Sequence, residues 1–159
     1  KPLLKFWSNL KSNPSKASKE NLYEFLEKNN YPITDNGNFI AYKKVVKTEE
    51  GLKDGYTRTI PNNALDKPTM KRSEVDPDPE VTCSRGLHAA SWEYAKTYSG
   101  EVLVELLINP KNVVTVPRDY NAQKMRVCEY KVIRELDQSE AKERTELFVS
   151  EKSLFSKKK

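Results

Sequence analysis

The segment TCSRGLHAASWEYAKTYSG, residues 82–100, concentrates the side chains of this chain that are best suited to chemistry. The thiol of Cys83, the guanidinium of Arg85 and the only imidazole of the chain, His88, precede Ser91, a residue type that starts helices well. One histidine without cysteine or aspartate at ligand spacing does not make a metal site. A catalytic pair of Cys83 and His88 would need a third group to orient it, and none is apparent. We therefore predict no metal site and consider binding instead.

The helix predicted after Ser91 begins with free backbone N–H groups, which favour an anion. Arg85 and Lys43 could add positive charge, and aromatic side chains in the helix could stack on a base. Such a set suits a phosphorylated nucleotide. The candidate ligand-binding residues are Tyr42, Lys43, Arg85, His88, Ser91, Tyr94 and Tyr98. The alternative is structural: Ser91 only caps the helix, Arg85 is solvated, the rings belong to the core and His88 hydrogen-bonds to backbone. The residues alone favour this alternative.

Two acidic segments could also carry chemistry. In CEYKVI, strand alternation places Glu129 and Lys131 on one face, and a buried Glu without a partner is costly. We therefore expect Glu129 to face solvent or to line a cleft. The segment EVDPDPE, residues 74–80, resembles a metal loop, but it lacks the spacing of a calcium loop and its prolines resist curling round an ion.

Composition indicates one basic domain. The 159 residues carry a net charge of +5, with 36% apolar and 32% charged residues. This balance permits nucleotides, nucleic acid or acidic proteins as partners, but the lysines are scattered and no nucleic-acid-binding motif is present, so nucleic acid is not favoured. Two distant cysteines, Cys83 and Cys128, are typical of reduced thiols in the cytoplasm. No apolar run approaches the roughly 18 residues of a membrane span, and no signal peptide is visible.

The elements that position these residues follow from periodicity and turn signals. Apolar spacing predicts a helical hairpin over residues 2–29, and Asp35-Asn36-Gly37 predicts a tight turn before a strand at 39–46. Residues 48–80 read as a loop with a short strand at 56–60. Further strands are predicted at LHAA, EVLVELLI (101–108), NVVTV (112–116) and RVCEYKVIREL (126–136), with one helix, WEYAKTYS, after Ser91.

This order predicts an α+β fold, a helical hairpin followed by a mostly antiparallel sheet with an embedded helix. We expect one domain at 1–136, in which the hairpin (2–29) precedes the sheet region (31–136). A charged tail at 137–159 would be helical, flexible or docked on a partner.

Specific phrases of the chain resemble the C-terminal domain of the rIIB-like family of T-even-like bacteriophages. They are NPSKAS, LYEFLEKNNYPITDNGNFIAYKKV, VTCSRGLHAAS and INPKNVVTVPRDYNAQKMRVCEYKVI, and they cover roughly residues 6–134. The resemblance implies a phage accessory protein, linked to lysis inhibition and to escape from host exclusion or defence, with an rIIA-like phage protein as partner. It implies a location in the cytoplasm of the infected bacterium or, by peripheral association, at the inner-membrane face. It implies no established chemistry.

A more distant resemblance is to the ADP-ribosyltransferase fold, which has three signature strands. AYKKV is similar to the first, with Lys43 where that family has Arg or His. GLHAAS is similar to the second, with His88 in place of Tyr, and CEYKVI is similar to the third, with Glu129 at the catalytic Glu. In an active enzyme Glu129 would bind the ribose 2′-OH and stabilise the oxocarbenium-like charge, while Lys43 and His88 would hold NAD. Lys in place of Arg loses the planar fork of donors.

Three functions follow from these patterns. The first is a non-enzymatic phage protein that binds a protein partner, a host defence factor or a nucleotide signal such as an ADP-ribose-type nucleotide. The second is an ADP-ribosyltransferase-like enzyme that uses NAD. The third, which charge alone supports, is a nucleic-acid binder.

Overall fold

A computed structural model describes residues 1–28, 31–81, 83–97, 100–117, 123–136, 143–144 and 146–155, with backbone only for residues 23–28. The helices are α1 (Pro2–Lys11), α2 (Lys16–Lys28), α3 (Trp92–Thr97) and α4 (Glu151–Phe155), with 3₁₀ turns at Arg72–Glu74 and Pro110–Asn112. The strands are β1 (Ile33–Thr34), β2 (Phe39–Thr48), β3 (Gly51–Asp54), β4 (Leu87–Ala90), β5 (Val102–Ile108), β6 (Val113–Thr115), β7 (Lys124–Val127), β8 (Lys131–Leu136) and β9 (Phe148–Val149). The predicted α+β fold is confirmed.

Strand β2 organises the mostly antiparallel sheet. On one side it pairs with β5 from Phe39 to Val45, and β5 pairs in turn with β8. On its other side three short strands follow one another: β1 at Phe39, β4 at the single pair Tyr42–Ala90, and β3 from Val45 to Thr48. Strands β7 and β6 extend the sheet beyond β4. The sheet therefore splits beside β2, where β4 ends its pairing and β3 takes over.

Alternating side chains of β2 supply two cores, one on each face of the sheet. Phe39, Ala41 and Val45 pack toward the helical hairpin, and Ile40 and Tyr42 pack toward α3 and the C-terminal segment. The hairpin is held through Phe6, Leu10 and Leu22, all buried. Burial of one such side chain stabilises a fold by about 1.5–3 kcal/mol.

Gly37 explains how closely the hairpin packs. It has φ of +80°, and a Cβ there would lie 2.4 Å from the backbone carbon of Lys5 in α1. The amide of Asn9 donates to the carbonyls of Asn36 and Gly37, each at 3.0 Å. The predicted tight turn therefore also forms the surface on which α1 packs.

Two sequence predictions were wrong in detail. The short strand expected at 56–60 lies instead at Gly51–Asp54, because the Asp54 carboxylate accepts the N–H groups of Tyr56 and Thr57 and forms a turn there. The single strand expected at 126–136 is two strands. The backbone N–H of Cys128 donates to the Asn112 carbonyl, and the Cys128 carbonyl accepts the N–H of Met70. The chain therefore leaves the sheet after β7, which pairs with β4, and re-enters it as β8, which pairs with β5.

Candidate functional site

A cleft of about 640 Å³, counted out to its open mouth, lies where the sheet splits. Its walls come from β2, the end of β3, β4 and α3, and the small side chains of Ala89, Ala90 and Ala95 leave room within it.

The floor of the cleft is a buried ion pair. The ammonium of Lys43 lies 2.8 Å from the Asp54 carboxylate, and both side chains are at most 10% exposed. The same ammonium donates to the backbone carbonyl of His88 at 2.9 Å. Lys43 therefore bridges β3 and β4 where backbone pairing with β4 has stopped. Although burial opposes ionisation, Lys43 and the N–H groups of the following turn lower the pKa of Asp54 to about 2.

His88 projects into the cleft as a neutral imidazole. Burial, together with repulsion from Lys43, lowers its pKa to about 4. Its Nε2 atom is buried and has no hydrogen-bond partner among the described residues. Because Nε2 is shielded from solvent, a ligand in the cleft would reach this nitrogen only after the side chain moves.

The walls carry an excess of positive charge beside aromatic rings. Lys43, Lys44 and Lys124 against Asp54 give 3 − 1 = +2 for the ionised lining residues. The ammonium of Lys124 lies 5.7 Å from the centre of the Tyr94 ring, within range of a cation–π contact. The cleft thus presents cations and a π-face together.

Four of the predicted ligand-binding residues meet in this cleft: Tyr42, Lys43, His88 and Tyr94. Ser91 is the N-cap of α3 and accepts the N–H of Tyr94 at 3.2 Å, so its hydroxyl is used in the fold. Arg85 is 67% exposed, lies 3.8 Å from Glu74 and is not among the described lining residues. Tyr98 lies outside the described residues.

Glu129 lies elsewhere. Its backbone pairs with Thr69, and its carboxylate lies 3.5 Å from the Lys67 ammonium. It is not among the described residues that line the cleft. The structure therefore brings together Lys43 and His88 of the transferase-like set and leaves Glu129 apart from them.

Sequence reasoning missed Asp54, Lys124 and Tyr56 as cleft residues. Asp54 lies in a charged segment that resembles an ordinary surface loop, and Lys124 begins a strand on the far side of β4. The one local signal was Asp54-Gly55, a turn pair at the end of a short alternating run.

The segment EVDPDPE, which resembles a metal-binding loop, instead packs around the guanidinium of an arginine. Arg126 on β7 is fully buried and donates to the backbone carbonyls of Asp76, Asp78 and Val81 at 2.7–2.9 Å. The described residues contain no group of three His, Cys, Asp or Glu placed to hold a metal. This loop leads to Cys83, an exposed thiol at the cleft.

A second buried charge lies behind the cleft. Glu105 on β5 is fully buried, and its carboxylate accepts from Arg134 at 2.9 Å and from Arg144 at 2.6 Å. The hydroxyl of Tyr42 donates to the same carboxylate at 3.2 Å. Burial opposes ionisation of Glu105, but the two arginines lower its pKa below the ordinary value. Arg144 thereby ties the C-terminal segment to a wall of the cleft.

The geometry defines a class: an α+β domain with a basic, aromatic cleft at a split in its sheet. The family model described as Bacteriophage T4 protein rIIB matches residues 2–143, so the chain belongs to the rIIB family of phage proteins. It is 35% identical to Protein rIIB of Enterobacteria phage T4 over 133 residues. That match covers 82% of this chain and 42% of the relative, so the chain spans less than half of the relative's length.

No solved structure matches the chain, and the resemblance to the ADP-ribosyltransferase fold stays a prediction. A separate finding concerns membranes: within the described ranges, no helix has the length and apolarity needed to cross one.

Proposed function

We propose that this protein is a phage accessory protein of the rIIB type and that it acts in lysis inhibition or in evasion of host exclusion or defence. In this proposal it works by binding, without catalysis, and its ligand is an ADP-ribose-type nucleotide held in the cleft. Family membership supports the phage role. The observation that carries the ligand proposal is the meeting of Lys44, Lys124, neutral His88 and Tyr94 in one cleft.

Each of these groups suits one part of a nucleotide. Ammonium groups of Lys44 and Lys124 would attract phosphate, and charge-assisted hydrogen bonds to phosphate are stronger than neutral ones. The Tyr94 ring offers a face for a base, and the neutral His88 ring lines the same cleft without adding charge. A ligand with phosphate groups also complements the net positive charge of the ionised lining residues, which a phosphate-free aromatic ligand does not.

Binding without turnover is favoured by the placement of the remaining groups. Glu129, the residue that the transferase resemblance makes catalytic, is paired with Lys67 outside the described cleft lining. Lys43 is committed to Asp54 and to the His88 carbonyl. On family grounds we also propose that an rIIA-like phage protein is a partner and that the protein acts at the inner-membrane face.

Thermal unfolding of the full chain tests the ligand proposal. The panel contains NAD, ADP-ribose, cyclic ADP-ribose isomers and cyclic oligonucleotides, and a ligand at 100 times its Kd adds about 2.7 kcal/mol of stability. We expect one nucleotide to raise the Tm of the wild type and of Glu129→Gln, but not that of Lys124→Met. Lys47→Met, an exposed lysine on the same strand as Lys43 and Lys44, is the matched control and should keep the shift.

Two results would overturn the proposal. If no nucleotide raises the Tm, the cleft is not a nucleotide site. If NAD is consumed, with release of nicotinamide, and Glu129→Gln abolishes that release, the domain is a transferase-like enzyme.

A further inference from the structure

The C-terminal segment 146–155 adds a short strand, β9, to the edge of the sheet and continues into the helix α4. Strand β9 pairs in parallel with β1: the N–H of Ile33 donates to the Leu147 carbonyl at 2.8 Å, and that of Asp35 donates to the Val149 carbonyl at 3.1 Å. Such pairing uses backbone groups that any extended segment carries. The edge of β1 is therefore a place where a peptide adds to the sheet.

The turn that follows β1 recognises a carboxylate. The hydroxyl of Thr34 and the side-chain amides of Asn36 and Asn38 all donate to the carboxylate of Glu151, the two amides at 3.1 and 2.7 Å. The backbone N–H of Glu151 donates to the Asp35 carboxylate at 3.0 Å. Three side-chain contacts thus select a Glu two residues after the last paired strand residue, Val149, and the backbone contact to Asp35 fixes its position.

The segment that fills this groove is lightly held. Strand β9 has only two residues, α4 has no buried residue, and Leu147 and Phe148 are 56% and 53% exposed. The apolar contacts of the segment come from partly buried side chains, those of Val149, Leu154 and Phe155. Elements with few buried apolar contacts open at low free-energy cost. The family match covers the groove but ends at residue 143, before the segment.

We propose that the β1 edge and the Thr34–Asn38 turn form a binding site for an extended acidic peptide of a protein partner, and that residues 146–151 occupy it in cis. The partner peptide carries two apolar residues, one small residue and a Glu, as Phe148-Val149-Ser150-Glu151 does. Its acidity complements the net charge of +5 of this chain. A second copy is disfavoured as occupant, because each copy already holds its own segment at a high effective concentration and exchange adds no contact. This proposal does not depend on the nucleotide cleft.

The test is fluorescence anisotropy with a labelled peptide, ELFVSEKSLF, which has the sequence of residues 146–155. In the full chain, Glu151→Gln weakens the cis segment, so this variant should bind the peptide about tenfold more tightly than the wild type does. Glu146→Gln, an exposed carboxylate in the same segment, is the matched control and should bind the peptide as the wild type does. A peptide with Gln at the position of Glu151 should bind the Glu151→Gln chain about tenfold more weakly.

Three results would overturn this proposal. One is absence of binding to the Glu151→Gln chain, and another is equal binding of the Glu and Gln peptides. The third is a dimer, seen by light scattering, which would make a second copy the occupant.

Amide hydrogen exchange of the unmodified chain gives an independent check that needs no variant. We expect the amides of Ile33 and Asp35 to exchange at least about a hundredfold faster than those in the paired centre of β2 and β5. Equal protection of both sets would show that the segment is a fixed part of the fold and would contradict the proposal.

Discussion

His88 is the only histidine of the chain, and its burial beside Lys43 makes the stability of the fold depend on its protonation. Its pKa is lowered from 6.5 to about 4, so the unfolded chain binds a proton more readily than the folded chain does between these values. The contribution of His88 to the free energy of unfolding is therefore fully present above about pH 6.5. It is lost as the pH falls towards 4, which lowers the free energy of unfolding by about 3 kcal/mol in all.

The single imidazole signal in an NMR titration should accordingly show a pKa near 4. In denaturant unfolding, His88→Gln should lose less stability than the wild type between pH 7 and pH 5, where few other groups titrate. A measured pKa of His88 near its ordinary value, with parallel pH profiles for the two proteins, would show that the side chain is solvated.

The Lys43–Asp54 pair makes a second residue-scale prediction. Lys43→Met leaves a buried carboxylate without its counter-charge, so urea unfolding should show a loss of about 3 kcal/mol. Lys47→Met, on the same strand but exposed, should change stability by less than about 0.5 kcal/mol. Equal small losses in both variants would mean that the ion pair is open to water.

Residue types and spacing predicted part of the cleft. Lys43 was predicted as a source of positive charge and Tyr94 as a stacking ring near the helix that follows Ser91, and the transferase resemblance singled out Lys43 and His88. Asp54 and Lys124 were not, because their roles depend on which strands are neighbours, and a sequence pattern does not give that order. The prediction for Arg85 stays untested, although its side chain is largely exposed.

At the scale of elements, the loop that contains residues 76–81 depends on one guanidinium. Three nitrogens of the Arg126 guanidinium each donate to a different backbone carbonyl of this loop. The single ammonium group of a lysine cannot reproduce this planar arrangement of donors. We expect Arg126→Lys to loosen the loop and speed tryptic cleavage after Arg85 by about tenfold, since cleavage tracks local opening. Arg58→Lys, in an exposed turn, should cleave after Arg85 at the wild-type rate, and an unchanged rate in Arg126→Lys would show that the loop is held by other contacts.

Elements with strong apolar periodicity were predicted well, and interruptions were not. The hairpin, β2 and β5 follow from their own residues. The break between β7 and β8 does not, because the run RVCEYKVIREL contains no Gly or Pro and alternates across the break, over residues 128–132. Tertiary bonds from Cys128 to the loops at Met70 and Asn112 decide the break, and these partners lie 16 or more positions away.

At the scale of the whole molecule, Glu105 joins the sheet, the C-terminal segment and the cleft. Its partners come from β8, from Arg144 and, through Tyr42, from the cleft wall. Glu105→Gln leaves Arg144 without a counter-charge and should cost about 3 kcal/mol in urea unfolding at neutral pH. Glu135→Gln, an exposed carboxylate on β8, should cost less than about 0.5 kcal/mol.

The pH dependence of stability gives a further prediction for Glu105. Because the pKa of Glu105 is lowered in the folded state, its contribution is present above its ordinary value of 4.5 and is lost as the pH falls below it. The wild type should therefore lose its advantage over Glu105→Gln in acid. A constant difference between the two proteins across this range would contradict the charged state of Glu105.

Cys83 allows a direct test of whether the cleft is the ligand site. This exposed thiol lies in the cleft lining, and Cys128 is buried and serves as an internal control. The measurement is the rate of Cys83 alkylation by iodoacetamide in the full chain, with and without the nucleotide that raises the Tm most. A nucleotide at ten times its Kd should slow alkylation about tenfold if it covers the thiol. An unchanged rate at a concentration that raises the Tm would place the ligand elsewhere and contradict the account.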